Sequence, residues 1–259
     1  LPKYAERRFS AERYPSYDAP DAVLIVDTFS EWNHPEVGRA AMQLAEHLGL
    51  RLNAMRLPGA ACCGRPAISK GLLDSAKAMA QENVRGLNVV HAEVPLVFLE
   101  PSCMSAFSDD YLTLVASENQ PVARSVAQRC VSAEAFFADA LTTRADSVVW
   151  KLESPRILLH GHCHQKALWG TADTLKLLRL IPGAEVAEMD TGCCGVAGSF
   201  GYEHYDLSMK IAEDRLLPAI RENADAMIAA PGTSCRAQIH DAGFAARHPI
   251  EILLAALAP

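Results

Sequence analysis

The chain has 259 residues, a formal net charge of −7, half of its residues apolar and only 7% aromatic. That length can bury one large core or two small ones, and the lack of any Lys/Arg block argues against a nucleic-acid partner. No apolar run approaches the roughly 18 residues of a spanning helix and no secretory signal is visible, so a cytoplasmic protein, or one peripheral at the inner membrane, is expected.

Residues 1–21 are polar, aromatic and proline-containing without periodicity, and are expected to form an arm or linker. The start at Leu1 rather than Met is expected of a piece of something longer. From residue 22 short apolar runs alternate with amphipathic stretches. "AVLIVDTF" reads as a strand, residues 35–49 as a helix opened by Pro35, 50–57 as a strand, 69–90 as a helix, and "VPLVFLEPSC" as a strand ending at Cys103. The second half repeats the order. "RILLHGHCH" reads as a strand through Cys163, 171–180 as a helix, and "AEVAEMDTGCCG" as a strand ending at a cysteine pair. Residues 206–223 then read as a helix, and "DAMIAAPGTSC" as a strand ending at Cys235. This alternation predicts an α/β fold with two tandem pseudo-repeated halves, each a small, mostly parallel sheet flanked by helices.

The cysteines keep register with the repeat. Cys62 to Cys193 and Cys63 to Cys194 are equally spaced, and Cys103 to Cys235 is one residue longer. "ACCGRPAISKG" answers "GCCGVAGSFGY", and "EPSCMS" answers "GTSCRA", as an internal duplication would leave them. The expected halves are 22–145 and 146–259.

Loops at the carboxyl ends of parallel strands gather along one sheet edge. Cys163, Cys193, Cys194 and Cys235 therefore meet there, a four-thiolate set suited to a 4Fe-4S cluster or, alternatively, to zinc. No close CxxC knuckle of the usual zinc type occurs, which favours iron. Gly195 lets the backbone turn between the paired thiols. Lys166, Arg236, His162 and His164 are expected to supply positive charge or donors around the cofactor, and His204 and Tyr205 to line its mouth. The first half offers only Cys62, Cys63 and Cys103, with Thr28 where Cys163 stands in the second. His34 or Asp27 could complete a metal set there, or the half serves as a scaffold without metal. Cys130 reads as a packing residue on a helix. "GVAGSFG" is not a dinucleotide fingerprint, so FAD is not expected on this chain. A vicinal Cys193–Cys194 thiol–disulfide site and a structural zinc domain remain alternative readings.

The two CCG motifs, each followed about 40 residues later by "PSC" or "TSC", resemble the cysteine-rich CCG domain family, which includes heterodisulfide reductase and glycolate oxidase iron–sulfur subunits. "HGHCHQKAL", "DTGCCGVAGSFGYE" and "PGTSCRAQI" are most similar to the C-terminal region of bacterial FAD-linked oxidases such as FAD/iron–sulfur D-lactate or D-2-hydroxyglutarate dehydrogenases. The resemblance implies electron transfer from a flavin, on an upstream domain or partner subunit, through a cluster to quinone or another acceptor. It also implies FAD-binding and ferredoxin-like partners and no independent catalysis by this segment. The fullest family pattern has a CxxC at each copy. Here its first cysteine is replaced by Glu100 and Gly232, which puts a five-thiol, noncubane site in doubt.

Overall fold

A computed structural model describes residues 2–57, 62–88, 93–144, 148–152 and 154–258. The chain divides into two compact units, Lys3–Ala133 and Glu134–Pro259, the residues before Lys3 grouping with the second. In the first, β1 (Ala22–Val26), α1 (Thr28–Trp32), α2 (Pro35–His47), β2 (Leu52–Arg56), α3 (Arg65–Ser69) and α4 (Leu73–Asn88) follow one another. Then come β3 (Leu96–Phe98), α5 (Pro101–Ser105), a π-turn at Ala106–Asp110, α6 (Tyr111–Leu114), α7 (Gln120–Arg129) and β4 (Cys130–Ser132). α8 (Ala133–Thr143) leads into the second unit. There β5 (Arg156–Leu159), α9 (Cys163–Leu168), α10 (Ala172–Leu178), β6 (Glu185–Glu188), α11 (Phe200–Glu203) and α12 (Tyr205–Arg221) are followed by β7 (Met227–Ala229), α13 (Thr233–Asp241) and α14 (Pro249–Ala256).

Both sheets are parallel, in the orders β2-β1-β3-β4 and β6-β5-β7. β1 and β5 are therefore equivalent centres, each with the next strand in the chain on one side and the following one on the other. Every residue of β1 is buried, as expected of a parallel strand covered by helices on both faces. Ile157, Leu158 and Leu159 do the same for β5. No helix among the described residues is long and apolar enough to cross a membrane.

The strands are shorter than their apolar runs suggested, and this moves the cysteines. Cys163 opens α9, Cys103 lies in the single turn of α5, and Cys235 lies in the first turn of α13. Pro101, two residues before Cys103, is pre-set for the first turn of a helix and cannot donate to a sheet. His162, Cys163 and His164 accordingly do not alternate as in a strand; His162 is the N-cap of α9. Cys130 begins edge strand β4 instead of lying in a helix, half-buried, with its thiol donating to the Val126 carbonyl at 3.3 Å. Burial pushes that thiol up to about 12.

The arm is pinned down by Phe9, whose ring stacks on Tyr14 at 4.4 Å and covers Gly38 of α2. A Cβ on Gly38 would stand 2.8 Å from the Phe9 ring, so the glycine makes room for the anchor. Asn53 adds two hydrogen bonds, one to each backbone polar group of Tyr17, at 2.8 and 2.9 Å. Phe9 is 2% exposed, and replacing it with Ala is expected to cost about 3 kcal/mol of first-unit stability, read by urea unfolding.

Candidate metal centre

In the second unit three loops from adjacent strand ends bring sulfur together. Cys193 follows β6 and hydrogen-bonds Cys194, which in turn hydrogen-bonds Cys235 of α13 beyond β7. Cys194 and Cys235 are 5% and 2% exposed, whereas Cys193 and Cys163 are exposed, so the sulfurs run from the core towards solvent. Backbone donors face them. The Gly195 N–H donates to Cys193 Sγ at 3.3 Å, and the Val196 N–H donates to Cys194.

Gly195 makes this turn possible. Its φ is +91°, and a Cβ there would sit 2.3 Å from the Ser208 carbonyl oxygen of α12. Gly201 is pressed against Val196 in the same way, with only 2.7 Å available between a Cβ and the Val196 Cα. Gln238 of α13 donates to both oxygens of Ser208 at 3.0 Å, so α13, α12 and the paired-cysteine loop are held as one piece.

The polar residues expected around the cofactor divide by role. His162 caps α9, its Nδ1 accepting from the His164 N–H at 3.2 Å while the Gln165 side chain accepts from the His162 N–H at 3.3 Å. The ligating atoms of His162, Cys163 and His164 all lie within 4.8 Å of one another. Lys166 pairs with Glu188 at 3.6 Å. Arg236 is buried and turns onto the loop before α13, donating to the Ala230 and Pro231 carbonyls at 2.9 and 2.6 Å and to Thr233 Oγ1 at 3.2 Å. Its guanidinium fastens the segment that presents Cys235. His204 packs its ring 5.0 Å from Phe200, and Tyr205 is exposed beside it.

His160 was not singled out by its neighbours in sequence. Its Nδ1 lies 2.7 Å from Thr191 Oγ1, both are buried, and Thr191 stands two residues before Cys193. Burial, and then the Lys166 charge, lower this imidazole to about 4, against the pull of Cys193. It is neutral at physiological pH and anchors the β6 loop. A histidine at the end of one strand and a threonine just before the cysteine pair on the next are visible in sequence, but only strand pairing joins them.

The first unit repeats the arrangement with different side chains. Cys63 and Cys103 are buried with their sulfurs 3.0 Å apart, Cys62 is half-buried, and the Gly64 N–H donates to Cys62 Sγ at 3.4 Å. Thr28 opens α1 as Cys163 opens α9, and its hydroxyl hydrogen-bonds the Cys62 sulfur. That contact marks where a fourth ligand stands relative to the first cysteine of a pair. Asp27 takes the place of His162 as N-cap, and its carboxylate accepts from the Phe29 and Ser30 backbone and from Ser30 Oγ. Glu100 caps α5 at the position of Gly232, accepting from Ser102. Burial and the neighbouring Glu100 hold Asp27 above the usual carboxylate range. His34 is engaged by Glu36 at 3.1 Å.

In the metal-free chain the thiols are held protonated. The Cys194 hydrogen bond and then burial raise Cys193, while the Cys235 contact and burial raise Cys194 despite the opposing pull of Cys193. Ligation would have to release those protons, so metal affinity rises with pH. Four soft donors, two backbone N–H groups aimed at sulfur and a glycine turn that only a close backbone approach requires are together the donor set of a thiolate-bound cluster. The noncubane alternative meets a steric obstacle. A Cβ at Gly232, where the fifth thiol would begin, would stand 2.2 Å from His162 Cδ2.

The cysteine-rich CCG domain profile matches residues 26–108 and again residues 157–240. The chain belongs to the CCG cysteine-rich domain family. It is 27% identical over 237 residues to the third (C) component of the anaerobic glycerol-3-phosphate dehydrogenase of Escherichia coli K12, an alignment covering 89% of this chain and 57% of that protein. It is 29% identical over 215 residues to lactate utilization protein A of Anoxybacillus flavithermus, covering 81% of this chain and 87% of that one. A structure titled as a putative Asp/Glu racemase from Yersinia pestis aligns over 90% of this chain and 96% of its own, at 13% identity and a TM-score of 0.38. Nothing functional follows from so distant a likeness.

Two expectations follow from this geometry. Gly195→Ala combines a left-handed φ with a collision against backbone, and is expected to cost about 2–4 kcal/mol and to abolish metal retention, seen by thermal unfolding and metal analysis. For the metal-free chain, the unfolded state takes up a proton near pH 6.5 that folded His160 refuses until about 4. Stability therefore falls as pH drops through that window, by at most about 1.4 kcal/mol per pH unit, and is unaffected above it. Urea titrations of His160→Gln at several pH values should show a flatter slope.

Proposed function

We propose that the chain is the iron–sulfur electron-transfer part of an FAD-linked dehydrogenase acting on a D-2-hydroxy acid of the lactate, glycolate or 2-hydroxyglutarate type. The carrying observation is the thiol set of the second unit, Cys193, Cys194 and Cys235 in mutual contact with Cys163 opening the neighbouring helix. Relatives named as a dehydrogenase subunit and a lactate utilization protein support the oxidoreductase setting. The flavin belongs to an upstream domain or partner subunit, and a ferredoxin-like domain and a quinone, or another acceptor, complete the route.

In this reading Cys163, Cys193, Cys194 and Cys235 hold a 4Fe-4S cluster. When bound, the cluster supplies one-electron transfer. The Gly195 and Val196 N–H groups withdraw charge from two of the ligand sulfurs, which favours the reduced state. Neutral His160, hydrogen-bonded to Thr191, keeps the Cys193 loop in place without adding charge. His162 fills the space over Gly232 and excludes water and a fifth ligand from that side.

The test is metal and sulfide analysis of the chain purified without oxygen. Four iron and four sulfide per chain are expected, with a broad visible thiolate-to-iron absorbance. Cys193→Ser and Cys235→Ser should lose both, while Cys130→Ser keeps them. One zinc and no iron would leave the chain a structural zinc domain. No metal, with two thiols recovered on reduction at Cys193 and Cys194, would make the second unit a thiol–disulfide site.

A further inference from the structure

The thiols of the first unit are a separate chemical group, and their use does not depend on which metal the second unit holds. We propose that Cys63 and Cys103 are a redox-active dithiol that closes to an intramolecular disulfide, with half-buried Cys62 as its entry thiol.

Four observations carry it. The Cys63 and Cys103 sulfurs are 3.0 Å apart, against about 2.05 Å in a disulfide, so closure requires only a small approach. The three sulfurs form a sequence of contacts, Cys62 to Cys63 to Cys103, graded from part-exposed to buried, as a relay of thiol–disulfide exchange needs. Both loops are held to that distance. The Cys62 carbonyl accepts from Asn83 Nδ2 at 2.9 Å and the Cys63 carbonyl from the Tyr111 hydroxyl at 2.7 Å. Arg65, two residues past Cys63, reaches the Ser102 carbonyl at 3.2 Å and Ser105 Oγ at 2.7 Å on the helix that carries Cys103. Finally, the surroundings disfavour an anionic cluster. Thr28 stands where the second unit has its fourth thiol, and the buried carboxylates Asp27 and Glu100 add negative charge beside Cys103.

The thiols' own acidity agrees. Cys63 is pushed well up, by its contact with Cys103 and by burial; Cys103, pulled down by Cys63 but raised by burial and the two carboxylates, still lies at about 11. Dithiols that oxidise other proteins do so because their reduced form is stabilised as thiolate. Here the reduced form has no such stabilisation, so the disulfide is the favoured partner.

The oxidant is a low-molecular-weight disulfide, RSSR. Cys62 as thiolate attacks one sulfur of RSSR, forming a mixed disulfide and releasing RSH after protonation. Cys63 displaces the second RSH, leaving a transient bond between Cys62 and Cys63. Cys103 then attacks the Cys63 sulfur and returns Cys62 to the thiol. In sum, two protein thiols become one disulfide and RSSR becomes two RSH, with no electron or proton left over.

The experiment uses the full chain, purified anaerobically, incubated with oxidised glutathione, alkylated under denaturing conditions and mapped by peptide mass spectrometry, with metal content followed in parallel. A Cys63–Cys103 linked peptide and two fewer alkylated thiols in the first unit are expected, with both lost in Cys103→Ser and kept in Cys130→Ser. Mapping the wild-type chain decides the matter even if Cys103→Ser fails to fold. The proposal is overturned if Cys63 and Cys103 both stay alkylatable, or if the stable link is Cys62–Cys63. It is equally overturned if the purified chain holds a zinc or iron equivalent that Cys103→Ser removes while the second unit keeps its own metal.

Discussion

The structure depends on one constraint of parallel sheets: all strands of a sheet end on the same edge. With β1 between β2 and β3, and β5 between β6 and β7, the chain leaves the central strand in opposite directions on its two sides. The loops after three adjacent strands then face one another across a crevice. Residues far apart in sequence, such as Cys193 and Cys235, come together because their strands flank the same neighbour. The rest of the site refines what this topology has already assembled.

The refinement is close packing of backbone. Two thiols adjacent in sequence address the same space only because Gly195, like Gly64 in the first unit, takes a left-handed conformation. The space is closed behind Gly195 by the Ser208 carbonyl and held there by Gln238. Amide N–H groups are turned onto sulfur in both units, so the loop is built for the thiols and not for a nucleotide phosphate.

Duplication followed by divergence explains the chemistry of the two halves. The first opens its helix with Thr28 and surrounds its sulfurs with Asp27 and Glu100. The second opens with Cys163 and has neutral His162 and Gly232 in those places. The same scaffold thus suits an anionic thiolate cluster in one copy and protonated thiols in the other. What separates them is one ligand and the local charge, while the strand order is common to β2-β1-β3 and β6-β5-β7.

Apolar runs and constant cysteine spacing determined, by themselves, the α/β class, the parallel sheets and the duplicated thiol loops, because burial periodicity and repeat register are properties of the chain. They overstated the strands. Cys103, Cys163 and Cys235 lie in first turns of helices, since Pro101 and the caps at His162 and Gly232 end the extended backbone early. Only the tertiary structure decided which polar groups face sulfur. Arg236 is spent on carbonyls of its own loop, Lys166 on Glu188, and His160 meets Thr191 across paired strands. Such partners are selected by distance in space, which no local pattern of residues encodes.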